Sequence, residues 1–192
     1  MQIQELFVRS NEELRKVIDQ IQPDQWELQT PPNITTSPAT LKESVRYHTY
    51  DDAWVTDVLA GKTKEEVGEQ YKSLLETPIT EIIATYDDHN ARANAAVRDF
   101  RDLDKIVHLS YGDFPARDYL LHIISFRGFR VYDLAKLIGA DTKMADDLVQ
   151  GLTEHLSPVI DDYRKMGVFP EAFSAPDNAD PQTKLLALAG RE

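Results

Sequence analysis

The chain has 192 residues, with 21 lysines and arginines against 33 aspartates and glutamates, and no cysteine. A single domain of this length buries on the order of 70% of its unfolded surface, enough for a core without metal or disulfide staples. The formal charge of −12 and the missing cysteines exclude generic nucleic-acid binding, attraction to an anionic membrane, disulfides, thiolate metal sites and cysteine nucleophiles.

The opening Met1-Gln-Ile-Gln-Glu-Leu-Phe7 has neither a basic start nor a long apolar run, so no secretory signal is predicted. Ile3, Leu6, Ser10, Leu14, Val17 and Ile21 recur three or four apart, with Phe7 and Ile18 widening the stripe. That spacing predicts an amphipathic helix of about six turns, closed by Pro23. Thr30 to Pro38 reads as a loop, since its prolines cannot continue a helix. Ser37 is the predicted N-cap of a second helix, with Pro38 at its first position. The stripe of that helix is Leu41, Val45, His48, Asp52, Val55 and Leu59, and Gly61 is its predicted stop.

Thr63-Lys-Glu-Glu66 fits a capping box for a short helix. Thr77-Pro78 then starts a longer one, carrying Ile79, Ile82 or Ile83, Tyr86, Asn90, Ala93, Val97 and Phe100 on one side. Asp104 to Phe114 has little helical period, so Ile106, Val107 and Leu109 are expected to be extended, with a turn at Tyr111-Gly112-Asp113. Asp113 is the expected cap of the next helix, which runs to Gly139 along Tyr119, His122, Phe126, Arg130, Asp133 and Leu137. A last long helix is expected from Ala145 to Met166, kinked or broken at Pro158 and ended by Gly167. After a proline-punctuated stretch, Thr183 to Gly190 reads as a short helix. The pattern is that of an all-α protein, a bundle of four main helices with short extras over residues 1–167 and a tail over 168–192 that packs on it. No apolar stretch approaches the roughly 20 residues of a membrane span, so a soluble cytoplasmic protein with no membrane contact is expected.

Polar residues interrupt two of these apolar stripes. His48 and Asp52 lie four apart on a core-facing line, a spacing that puts them side by side on one helix face. Imidazole and carboxylate together suit a first-row metal, or else the histidine simply hydrogen-bonds to Asp52. On the later helix His122, Phe126 and Arg130 share a face, and Arg127 adds a second cation. An interior Arg130 needs a counter-charge: Asp133 three residues on, Asp51 or Asp52 from the second helix, or an acidic ligand gripped by the guanidinium fork. Gly-x-Ser-x-Gly and glycine-rich phosphate loops are absent.

Trp26-Glu-Leu-Gln-Thr-Pro-Pro32, Leu41-Lys-Glu-Ser-Val-Arg-Tyr-His48 and Trp54-Val-Thr-Asp-Val-Leu-Ala-Gly61 together resemble the N-terminal part of the DinB-like, mycothiol-dependent maleylpyruvate isomerase family. Phe126-Arg-Gly-Phe-Arg-Val-Tyr-Asp-Leu-Ala-Lys-Leu-Ile-Gly139 resembles that family's His-x-Trp-Asp-Leu-Ala stretch, and Phe173 to Arg191 looks like the C-terminal signature of one of its branches. The resemblance implies a DinB four-helix bundle, a homodimer, and a zinc or nickel ion that lowers the pKa of a low-molecular-weight thiol for isomerisation or transfer. His48 matches its first metal ligand. The other two positions carry Phe126 and Arg130, neither of which can ligate. His122, one turn earlier, is the candidate replacement, helped by Asp52. The expected site is therefore a degenerate metal site that binds a small molecule or anion through His48, Asp52, Phe126 and Arg130. The alternatives are an enzyme using the shifted pair His48 and His122 on a metal, and a dimeric bundle without a small-molecule site.

Overall fold

The N-terminal stripe winds into α1 (Ile3–Ile18), with Leu6, Phe7 and Leu14 removed from solvent. The structure is a computed structural model and describes residues 1–30 and 40–191. Helix α1 closes earlier than the periodicity predicts. After Ile18 the backbone tightens into i to i+3 bonds, Gln20 N–H to Val17 and Ile21 N–H to Ile18, ahead of Pro23.

Helix α2 (Leu41–Ala60) starts on a capping box. The Thr40 hydroxyl accepts from the Glu43 amide and the Glu43 carboxylate accepts from the Thr40 amide. The expected cap at Ser37 and Pro38 lies outside the described residues. All six positions of the predicted α2 stripe are buried, including His48 and Asp52. Gly61 ends the helix in the left-handed region at φ 91°.

The Thr63–Glu66 capping box forms as predicted over α3 (Lys64–Val67), and a 3-10 turn spans Lys72–Glu76. Helix α4 (Ile82–Asp99) begins one turn later than Pro78 suggested. Glu81 N–H folds back to the Pro78 carbonyl in a turn, which leaves Ile79 exposed. The aperiodic segment is an antiparallel hairpin of β1 (Ile106–Leu109) and β2 (Gly112–Pro115), paired Val107 to Phe114 and His108 to Asp113. Its two-residue connection is Ser110-Tyr111, one residue before the predicted turn, and Gly112 takes φ 142°. Asp113 does not cap a helix. It accepts from His108 across the hairpin, and Pro115 precedes α5 (Ala116–Ile138).

The helix expected from Ala145 to Met166 is two helices, α6 (Asp146–Leu156) and α7 (Ile160–Lys165). The Ser157-Pro158-Val159 break separates them. In the tail, Asp180 caps α8 (Pro181–Leu188) with Pro181 at its first turn. Leu185, Leu186 and Ala189 join the same core cluster as α1, α2, α4 and α5.

Among the described residues the chain is thus mostly helical, with one small hairpin. The closest backbone packing joins α2 to α4, α1 to α5 and α1 to α4, while α6 lies against α1, α5 and α8. Helices α2 and α5 do not approach comparably. Their long side chains meet across a seam, and the hairpin touches both helices. Among the described residues no helix is long and apolar enough to cross a membrane.

Candidate functional site

Asp52 and Arg127 face each other across the seam as an ion pair of 2.6 Å, with side chains 0% and 1% exposed. Arg127 also donates to the Asn11 carbonyl of α1 at 2.5 Å, and its guanidinium lies over the Phe7 ring. The Asn11 amide donates to Asn94 at 2.8 Å, Asn94 donates to Asn90 at 2.9 Å, and Asn90 donates to Asp52 at 3.0 Å. Five side chains from α1, α2, α4 and α5 therefore close a ring at one level of the bundle. Burial works against the charge on Arg127, but Asp52, Tyr86 and Asp51 outweigh it and hold the guanidinium protonated. Burial pushes the Asp52 carboxyl up, opposed by Arg127 and by the Asn90 bond.

His48 lies beside this ring and is not part of it. It is 0% exposed, and neither ring nitrogen has a hydrogen-bond partner among the described residues. Its imidazole packs on Phe126 at 5.1 Å between centroids, and the Arg130 guanidinium covers the Phe126 ring at 5.1 Å. Burial, with the nearby charges of Arg127 and Arg130, drives the His48 pKa well below its ordinary range. The result is a neutral imidazole, able to donate from one nitrogen and accept at the other, in a positive field. Among the described residues Trp54 Nε1, Tyr86 Oη and Arg127 Nε are also buried without hydrogen-bond partners, but the first two are single polar atoms and Arg127 is held by Asp52 and Asn11. A buried imidazole with both nitrogens unsatisfied costs more and calls more strongly for a ligand or water.

The sequence expected Asp52 to serve Arg130 or a ligand. The structure gives Asp52 to Arg127 and Asn90 instead. Nor does Asp133 form the expected pair with Arg130. It binds Arg191 of the tail at 3.1 Å, and Arg191 also lies over the Phe129 ring. Burial lowers the pKa of Arg130, and Arg191 adds to that effect while Asp133 opposes it.

His122 is not assembled with His48 and Asp52 into a ligand set. It packs among Phe114, Tyr163 and Tyr111, and its Nδ1 meets the Tyr111 hydroxyl at 3.1 Å. Among the described residues no three His, Asp or Glu side chains are placed to hold a metal ion. The residues around His48 do not fit a divalent ion on chemical grounds either. Phe126 offers no lone pair, and two guanidinium groups already place positive charge on the imidazole.

The sequence placed Asn90 on the inward side of its helix without giving it a role, and Asn11 and Asn94 were not singled out. Their signal was amide side chains at core-facing positions, Asn11 within the α1 stripe and Asn90 and Asn94 four apart on α4. No family model, curated protein or solved structure matches the chain.

Proposed function

We propose that this chain is a DinB-like bundle that has given up the metal of that architecture and binds a small organic anion in the seam between α2 and α5. The observation that carries the reading is His48, a fully buried imidazole with two unsatisfied nitrogens beside two guanidinium groups. Phe126 supplies an apolar wall, Arg130 adds positive charge, and Asp52 serves as the counter-charge that holds Arg127. A neutral histidine donating to a carboxylate in a positive, water-poor setting is a favourable hydrogen-bonding arrangement.

The test is ligand-observed NMR on the purified full chain with straight-chain carboxylates of two to six carbons, alongside elemental analysis. The expected result is saturable carboxylate binding lost in His48→Ala, with no stoichiometric metal. Zinc or nickel bound one to one and released by His48→Ala would overturn the metal-free reading and favour a thiol-dependent enzyme. The resemblance also carries a homodimer, and a purely monomeric mass by light scattering at micromolar concentration would remove it.

A further inference from the structure

Asp133 lies three residues after Arg130 on α5, a spacing at which two helical side chains can meet. The structure gives this carboxylate to Arg191 of the tail instead. Arg191 Nε donates to its two oxygens at 3.1 and 3.3 Å, and Nη2 donates to one of them at 3.3 Å. The same guanidinium lies 4.3 Å from the centre of the Phe129 ring and 5.9 Å from that of Phe169. Arg130 lies over Phe126 at 5.1 Å, and Phe126 in turn packs on the His48 imidazole.

The end of α8 builds this arrangement. The Arg191 amide donates to the Leu186 carbonyl and the Gly190 amide to the Ala187 carbonyl, the two bonds of a Schellman cap, with Gly190 at φ 68°. A β-carbon at Gly190 would come within 2.5 Å of Pro170 Cγ and 2.7 Å of the Glu171 carbonyl oxygen, so the close approach requires glycine. Arg164 of α7 fastens both sides of this turn, donating to the Pro170 and Leu188 carbonyls at 3.0 and 2.7 Å. Arg191 therefore reaches Asp133 from a capped and pinned turn. The two side chains are only 21% and 15% exposed, so salt screens the pair weakly.

We infer that Arg191 is a positioning residue for Arg130: the docked tail occupies Asp133, and an undocked tail hands Asp133 to Arg130 and draws that guanidinium off the wall formed by Phe126 and His48. This rests on the anion site proposed above and adds its regulation. Tail docking and anion binding then favour each other reciprocally, because each is served by keeping Arg130 and Asp133 apart.

The experiment compares the full wild-type chain with Arg191→Met and with the double variant Arg191→Met, Asp133→Asn. Methionine keeps an apolar contact with Phe129 while removing the donors and the charge. Two quantities are read: the Arg130 Nε–H resonance, which needs no ligand, and the dissociation constant for butyrate. In Arg191→Met the resonance is expected to move and butyrate to bind about two- to fivefold more weakly, the range of a partly exposed ion pair. Both quantities return to wild-type values in the double variant, where the competing charge is gone, although its urea midpoint does not recover. That recovery separates an exchange of partners from a loss of packing. An Arg130 resonance that stays in place in Arg191→Met, or that moves and does not return in the double variant, overturns the inference. The expected resonance changes with no butyrate binding in any of the three chains overturn the anion reading and its coupling to the tail, and leave the exchange of partners standing.

Discussion

Asp52 and Arg127 meet at 2.6 Å with neither side chain reaching solvent, and this pair joins α2 to α5 inside the bundle. Its charges are taken out of water together and held by amides from two further helices. Removing one member leaves the other uncompensated. Asp52→Ala is therefore expected to cost about 3–5 kcal/mol of unfolding free energy in urea titrations. The double variant Asp52→Leu with Arg127→Met should recover most of that loss, and a double-mutant cycle gives the coupling. Equal loss in the single and double variants would mean that packing, not charge, dominates at this level.

His48 is expected to be a stability liability. Replacing it with leucine removes two unsatisfied buried nitrogens and keeps a similar volume. His48→Leu should raise stability by about 1–2 kcal/mol while abolishing carboxylate binding. A destabilised His48→Leu would show that the imidazole is satisfied in the native protein.

The pH dependence separates His48 from Asp51. Burial, opposed by Arg127 and reinforced by Asp52, pushes the Asp51 carboxyl from its ordinary 3.8 up to about 7, so between those values the folded state holds the extra proton. The stabilisation from that proton is complete below pH 4 and is lost as the pH rises through 7. Asp51→Asn should remove this slope and exceed the wild type by about 1–3 kcal/mol above pH 7. His48 acts in the opposite sense. Its folded pKa lies well below 6.5, so its contribution is lost as the pH falls below 6.5. Thermal melts of both variants from pH 4 to 8 measure the two slopes.

Gly151 of α6 tests the packing against α1. A β-carbon there would lie 2.6 Å from Leu6 Cδ1, and Leu6 is 0% exposed, so one of the two helices or the leucine must shift. Gly151→Ala should cost about 1–3 kcal/mol by chemical denaturation. The unchanged stability of this variant would show that α6 can slide on α1.

Most helices were legible because their apolar residues recur at the helical period and their ends carry chemistry that local geometry demands. Thr63-Glu66 and the glycines at 61 and 139 are such ends. The hairpin was visible only as a lack of period, since four-residue strands show too few alternations to fix a register. The prolines at 78 and 158 announced interruptions, but whether a turn, a kink or a full break follows depends on tertiary packing. At the site, the sequence placed His48 and Asp52 inward correctly and then paired Asp52 with the wrong arginine. Arg127 and Arg130 are three apart on α5, and which one reaches Asp52 depends on how α5 is rotated in the bundle, a long-range quantity that periodicity does not carry. The asparagines were harder still, because a buried amide differs from an exposed one only in its partners.

The ring of five polar groups has a direction. Arg127 can only donate and the Asp52 carboxylate can only accept, so the three amides between them must all point the same way, each accepting from one neighbour and donating to the next. Of the eight ways to set three amide flips, one satisfies the circuit. A helix that slipped by a residue or docked in the wrong order would break the circuit and strand a charge at one end. The bundle thus carries a parity check on its own assembly, read out once across four helices, which a core of leucines would be unable to perform.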